Sequence, residues 1–477
     1  MKNDSLKKIF WLGILLILCY HIGIELYSQS YFGGSVADDA YYIAVADAFL
    51  ETGQSRDITV NPARPTLTGH WGITLYYSVL RLFQLDFVQI SIITMLLGIG
   101  FHVCTIFPLN NIAKRWSLPS WVPPFIVLYL LYVPVYYNPV LAGRTESVFF
   151  PLSLFWFAAL LKWIDHPNNW KKWGLLLILS ITMYAFRMQA IIFFIALILG
   201  LMITKNIRKS IAAILISGGA VGVVLTVNYL ITGLFSSRGE AAVGSNLSSI
   251  GIESLINNLP LLVQILNYPS EFYLTYISSV VAVLVMIAAT VYVRKNWEAE
   301  HLIAYLIILG AVASFLLALP GHVHHGHLRY TAYAIPFLLM LGLKQGNQFF
   351  KNHYAMIGIC LLGILPTLKV FQSDIRHLGH VKGKYESRVD RYYEMKEVLS
   401  ENSGKLYGID LQMHTSQRLA YVTSNQSVTL IDSLKEIERK EELIITTENF
   451  YSEHTEELET PVYRFKINFR YVITKLQ

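Results

Sequence analysis

Residues 12–42 read LGILLILCYHIGIELYSQSYFGGSVADDAYY, and the two halves of that stretch decide how the rest of the chain is read. Residues 12–27 form an apolar run fit to enter a bilayer, and Lys2, Lys7 and Lys8 precede it. Cytoplasmic flanks favour Lys and Arg, so the N-terminus is expected inside and the pair Asp38-Asp39 outside. Two carboxylates on the first external loop of a membrane chain point to chemistry at the membrane face.

Composition agrees. The 477 residues are 54% hydrophobic and 15% charged, with a mean hydropathy of +0.45, which excludes an ordinary soluble protein. Stretches long enough to cross a hydrocarbon core of about 30 Å recur from end to end. They lie at 9–27, 87–107, 121–138, 146–164, 172–186, 188–204, 211–232, 273–293, 301–319, 329–343 and 354–370. The expected architecture is therefore mainly α and polytopic, with about eleven transmembrane helices. Alternate loops hold the lysines, such as Lys114, Lys171-Lys172, Lys205 and Lys295, as positive-inside topology requires. A retained first helix, with no small-residue cleavage site after it, places the chain in a plasma (inner) membrane, read as bacterial. Cys19, Cys104 and Cys360 all fall in apolar spans, so no disulfide framework is expected. The net charge of +6 is scattered by topology, which argues against a nucleic-acid partner.

The organisation is a transmembrane domain over 1–370, with long external loops at 28–86 and 233–272, and a small extracytoplasmic α/β domain over 371–477. Tyr42, Val45, Ala46, Phe49 and Leu50 follow helical spacing, and Gly53 offers a stop. That helix is expected to lie along the membrane surface, with the acidic pair as its N-terminal cap. In the C-terminal region, 385–399 reads as helix, 405–409, 443–447 and 463–473 as strands, and 433–442 as another helix.

Asp38 can act as a general base toward an acceptor hydroxyl, although a helix cap alone would also explain an aspartate there. Arginines stand where the topology rule does not favour them: Arg64, Arg144, Arg187 and Arg329 among them. The guanidinium fork suits phosphate oxygens, so a phosphate-bearing lipid is the natural ligand. The alternatives are snorkelling to the interface or pairing with a neighbour such as Glu146. His322, His324, His325 and His327 crowd next to Arg329. Their spacing matches no closed zinc site, and hydrogen bonds to phosphate or sugar hydroxyls are one reading of them. No motif fixes a cofactor; a divalent metal, Mg or Mn, held by Asp39, His324 and His325, stays open. His70, beside Trp71, and Tyr41 are further candidates for facing a substrate.

An acidic pair just after helix one, followed by such a segment, resembles the GT-C superfamily of membrane glycosyltransferases. The likeness is to its protein O-mannosyltransferase and aminoarabinose-transferase branch. It rests on Ala37-Asp38-Asp39-Ala40-Tyr41-Tyr42 with Ala46 and Thr52-Gly53, on residues 144–161 and 187–201, on Arg329-Tyr330 to Pro336, and on the α/β tail. Asp39 stands where that branch often has Glu, and Gly69-His70-Trp71-Gly72 replaces its His-Pro-Pro-type segment. The resemblance implies transfer of a sugar from a polyprenyl phosphate to a glycan, lipid or protein hydroxyl, with inversion. Asp38 would be the base and Asp39 would orient the acceptor or hold a metal. Arg144, Arg187, Arg329 and Arg64 would bind the donor phosphate, and His70, Tyr41, His327 and Glu146 the substrates. A transporter or flippase, or a polymerase or ligase, of lipid-linked sugars is the rival reading.

Overall fold

The computed structural model describes residues 3–29, 36–66, 71–141, 145–235, 274–317, 325–350, 353–376, 378–401, 404–410, 415–437, 439–467 and 469–477. Its early helices are α1 (Asn3–Ser28), α2 (Val36–Thr52), α3 (Trp71–Arg81), α4 (Phe87–Cys104), α5 (Ile106–Arg115), α6 (Val122–Leu130), α7 (Pro134–Leu141), α8 (Thr145–Asp165) and α9 (Trp170–Phe186). Then come α10 (Ala190–Ile203), α11 (Ile207–Thr232), α12 (Leu274–Lys295), α13 (Ala299–Leu317), a 3-10 segment (His325–Ala334), α14 (Ile335–Phe350), α15 (His353–Arg376), α16 (Leu378–Ser400), α17 (Thr415–Ser424) and α18 (Glu448–Glu453). Each apolar stretch expected to span meets helical structure. Among the described residues, five helices are long and apolar enough to cross a membrane: Asp4–Ser28, Phe87–Arg115, Thr145–Asp165, Ile207–Thr232 and Ala299–Leu316. The chain is a multi-pass membrane protein.

It divides into two compact units. One comprises Met1–Gly23, Thr94–Leu225 and Arg238–Leu378; the other comprises Ile24–Ile93, Thr226–Ser237 and Gly379–Gln477. In the first unit, the stretch at 121–138 is not one straight helix, as the sequence suggested. It breaks into α6 and α7 with a bend of 74°. Pro134 forbids continuation, because proline lacks a donor and disfavours helical backbone in the residue before it. The break leaves carbonyls without helical partners, which are costly in a bilayer. Two buried histidines from other helices meet them: His102 Nε2 lies 3.1 Å from the Val127 carbonyl, and His21 Nε2 lies 2.9 Å from that of Leu131. Nothing in the sequence reading singled out either histidine. Close helix approach depends on missing side chains. A Cβ on Gly98 would come within 2.3 Å of the Val140 carbonyl oxygen. On Gly200 and Gly310 it would come within 2.4 and 2.5 Å of Ile303 and Ile192, on either side of the α10–α13 contact.

The second unit is built on a six-stranded sheet. Its strands are β2 (Val60–Asn61), β4 (Leu406–Gly408), β5 (Val428–Leu430), β6 (Leu443–Thr447), β7 (Tyr463–Ile467) and β8 (Phe469–Thr474), in the order β2-β5-β4-β6-β8-β7. The first four positions pair in parallel, and β8 runs antiparallel to both of its neighbours. Central β6 is buried on both faces, as a parallel strand should be. Leu443 and Ile445 join Leu399, Ala420 and Val428 on one side, while Ile444 joins Tyr407, Leu434 and Leu458 on the other. The strand expected over 443–447 has the bounds of β6. The sequence did not foretell that Tyr463–Ile467 and Phe469–Thr474 are two antiparallel strands, nor that the described residues of 433–442 hold only a short turn, Leu434–Glu436, closed by a Ser433–Glu436 capping box. Nor did it suggest that β2, from the loop after α2, pairs Val60 with Val428. The same loop carries a two-stranded ribbon of β1 (Arg56–Asp57) and β3 (Arg64–Pro65).

α2 ends at Thr52 as expected: Gly53 takes a left-handed φ of +69°, and its N–H bonds the Phe49 carbonyl at 2.8 Å. Its sides differ from the expectation. Residues 43–48 are all buried, so this is no surface helix with one wet face. The small residues Ala40, Ala44, Ala46 and Ala48 let neighbours approach from several directions. α3 and α17 both pack against it.

Candidate active site

Asp38 and Asp39 fall in the first turn of α2, inside the helix and not ahead of it as a cap. Negative charge is stabilised there by the helix dipole. Asp38 is exposed and Asp39 half-buried. From α3, the Tyr77 hydroxyl donates to Asp39 Oδ1 at 2.9 Å. Burial, with the Asp39 charge adding to it, pushes the Tyr77 phenol well above its ordinary value, and that of Tyr76 likewise. Both therefore stay protonated, and Tyr77 remains a donor that fixes one carboxylate oxygen. Tyr42 packs its ring 5.3 Å from that of Tyr77. Tyr41 hydrogen-bonds Thr66, and the Arg418 guanidinium of α17 lies 4.3 Å from the Tyr41 ring centre.

Two turns along α2 is a carboxylate the sequence reading missed. Asp47 accepts from Arg81 Nε at 2.6 Å and Nη2 at 3.1 Å, and from the Tyr421 hydroxyl at 3.3 Å. Asp47 is buried. Burial and the Asp47 charge hold the Tyr421 phenol above its usual range, so it too is a donor. No sequence signal marks Asp47, because its partners lie on two other helices.

In the first unit the structure joins three candidates from separate parts of the sequence. Glu146, in the first turn of α8, is only 2% exposed. Arg187, on which α9 ends with extended backbone, donates from Nη2 to Glu146 Oε1 at 2.6 Å. Arg329 Nε lies 3.2 Å from the same oxygen, and Thr145 Oγ1 donates to Oε2 at 3.1 Å. Both guanidiniums sit over the Tyr330 ring, 5.1 and 5.0 Å from its centre. Two cations share one carboxylate, so the cluster keeps a surplus positive charge. Glu146, expected among the substrate contacts, is turned to the arginines instead.

Arg64 is exposed in the second unit, across the β1–β3 ribbon from Asp57. His70, Arg144 and His324 lie outside the described residues, as do the side chains of His325 and His327 and nearly all of the loop at 233–272. Among the described residues, Glu298, Glu300 and His301 bring metal-ligand atoms within 4.8 Å of one another. Arg115 already bonds Glu300 at 2.5 Å and Asp165 at 2.6 Å, so those acids have a fixed cation.

Solved structures resemble the whole chain. ArnT from Cupriavidus metallidurans, bound to undecaprenyl phosphate, aligns with a TM-score of 0.61 and 11% identity over 97% of this chain and 97% of that one. Its apo state aligns equally well. The apo oligosaccharyltransferase of Archaeoglobus fulgidus aligns with a TM-score of 0.51 and 9% identity, over 91% of this chain and 65% of the other. No family model and no curated protein sequence matches. Both neighbours are GT-C membrane glycosyltransferases, and what these similarities establish is the GT-C fold, as the acidic pair and the spans led one to expect.

Proposed function

We propose, proceeding from that fold, that the protein is a membrane glycosyltransferase. It would move a sugar from a polyprenyl-phosphate donor to a hydroxyl on a glycan, lipid or protein acceptor. The observation that carries the reading is the first turn of α2, where an exposed Asp38 stands beside an Asp39 fixed by Tyr77. Asp38 takes the acceptor's proton as its oxygen attacks the anomeric carbon, and the C–O bond to the lipid phosphate breaks with inversion. Asp39, one oxygen already engaged by Tyr77, orients the acceptor hydroxyl. Arg187 and Arg329 receive the leaving phosphate, and Glu146 holds the two guanidiniums in place for it. Arg144, Arg64, His70, Tyr41 and His327 remain further candidates for substrate contact. The undecaprenyl phosphate of the ArnT structure supports a donor of this chemical class.

The test is transfer of labelled sugar from polyprenyl-phosphate donors in proteoliposomes. Asp38→Asn is expected to lose roughly a hundredfold or more in turnover while still binding donor. Equal turnover in both would remove Asp38 from the chemistry. Movement of donor between leaflets without transfer would favour the flippase reading. Repeating the assay after EDTA treatment separates the roles of Asp39. Unchanged transfer is expected; loss restored by Mg or Mn would make Asp39, with His324 and His325, a metal ligand.

A further inference from the structure

The bond between Tyr421 and Asp47 fixes more than a corner of the second unit. α17 packs along α2, and two contacts run in the same order on both helices. Tyr421 meets Asp47; Arg418, a turn earlier on α17, meets Tyr41, nearer the start of α2. The register set by the first contact therefore decides what Arg418 reaches. All of these residues belong to the second unit, and Arg418 comes from its C-terminal α/β part.

Tyr41 is engaged at both its hydroxyl and its ring. The hydroxyl is hydrogen-bonded to Thr66. Thr66 is held in turn by Ser55, whose Oγ donates to the Thr66 carbonyl at 2.8 Å and whose carbonyl accepts from the Thr66 N–H at 3.2 Å. Over the ring lies the Arg418 guanidinium, 4.3 Å from its centre. Burial raises the Tyr41 phenol above its ordinary value, against the opposing pull of Thr66 and Arg418. The phenol therefore stays neutral, and a cation on its face keeps its full charge. An aromatic face orients a guanidinium, and the planar fork of N–H groups suits a carboxylate or a phosphate. Tyr41, expected to touch a substrate, is the platform on which Arg418 is presented.

Asp38 and Tyr41 are three residues apart, so they share a face of α2, with about 5–6 Å between their Cβ atoms. That places half-buried Arg418 on the Asp38 side of the helix. A displacement with inversion has two sides. The acceptor approaches beside the base, and the leaving phosphate departs across the anomeric carbon from it. A cation on the Asp38 side faces the acceptor. Two carboxylates in one turn repel an acceptor that is itself an anion, whereas a neutral acceptor needs no arginine beside it. Asp57, a third carboxylate near Tyr41, accepts from the Thr59 N–H and Oγ1 at 3.0 and 2.6 Å and has Arg64 across the ribbon. We infer that Arg418 is a specificity-determining residue supplied by the C-terminal domain. It binds a carboxylate or phosphate carried beside the accepting hydroxyl, so anionic acceptors are taken over neutral ones. The inference rests on the transferase reading of Asp38 and names the acceptor class for it.

The test reads binding without turnover, using three soluble probes that differ only at C6: methyl glucoside, methyl glucuronide and methyl glucoside 6-phosphate. The full chain is titrated with each at low salt, in phosphatidylcholine nanodiscs that carry no net charge. Both anions are expected to bind at least about tenfold more tightly than the neutral sugar, and the tighter of the two identifies the anion. Arg418→Gln is expected to bring both anions down to the affinity of the neutral sugar, which itself does not change. Arg418→Lys keeps the charge without the fork and is expected to fall between. Equal affinities in the unaltered chain, or no binding of either anion, would overturn the inference with no substitution made. Equal weakening of all three probes by Arg418→Gln would overturn it too, by showing a merely structural role. So would a preference that persists in that variant, which would assign the anion to exposed Arg56 or Arg64 on the ribbon. The two readings fail separately. Normal transfer by Asp38→Asn, with an anion preference that needs Arg418, would remove the general base and leave Arg418 an anion-binding residue. Loss of transfer in Asp38→Asn, with no anion preference, would remove Arg418 alone.

Discussion

Two buried carboxylates, one in each compact unit, are paired with arginine in different proportions. Asp47 meets one guanidinium through two hydrogen bonds and adds a tyrosine donor, so its charge is balanced where it stands. Glu146 meets two guanidiniums, both of them stacked on one tyrosine ring. A balanced pair has nothing left to offer a ligand, and its work is to hold three helices together. An outnumbered carboxylate leaves its cations with a net positive charge, and on that charge rests the proposal that they receive an anion. Counting charges within each cluster thus separates a neutral fastening from the cluster proposed to receive an anion, where burial alone does not.

That contrast can be broken by substitution. Arg81→Gln leaves the buried Asp47 without its counter-charge, and the expected loss is about 3 kcal/mol of stability, read as a lowered melting temperature in a scan of the purified protein. Donor affinity per folded molecule should not change. Arg329→Gln does the reverse. It leaves Glu146 paired with Arg187, so the melting temperature should hold, while affinity for a polyprenyl phosphate in a binding titration falls by about 2 kcal/mol, roughly thirtyfold. A melting loss in this variant with unchanged affinity would show that the Glu146 cluster is a fastening after all. Smallest is Tyr421→Phe, which removes one donor to Asp47 and should cost about 1 kcal/mol of stability with no effect on donor binding.

What could be read from the chain beforehand follows the range of the interaction. Apolar length, the glycine stop at Gly53 and the short aliphatic, β-branched run over residues 443–447 are local, and each has its counterpart in the structure. The acidic pair was legible because it is two adjacent residues. Arg187, Arg329 and Glu146 were each visible as charges at helix ends, but the two-to-one arrangement needs three chain segments to meet. Asp47 was invisible for the same reason, sitting in an alanine-rich helix with partners on α3 and α17. The break between α6 and α7 was missed: 121–138 reads as one span although Pro134 stands within it, and the histidines from α1 and α4 that make the break tolerable in lipid come from distant segments.

The pairing of Val60 with Val428 also orders events in time. A ribosome releases the α2 segment long before it makes β5 or α17, and most of the bundle is threaded into the membrane in between. Until then Asp47 has its arginine but not its tyrosine, and β2 has no sheet to join. Local contacts form early in a nascent chain and distant ones late. The helix bearing the acidic turn is therefore among the first pieces synthesised and among the last to reach its finished surroundings. A chain truncated anywhere before β5 would insert its spans yet never assemble that corner.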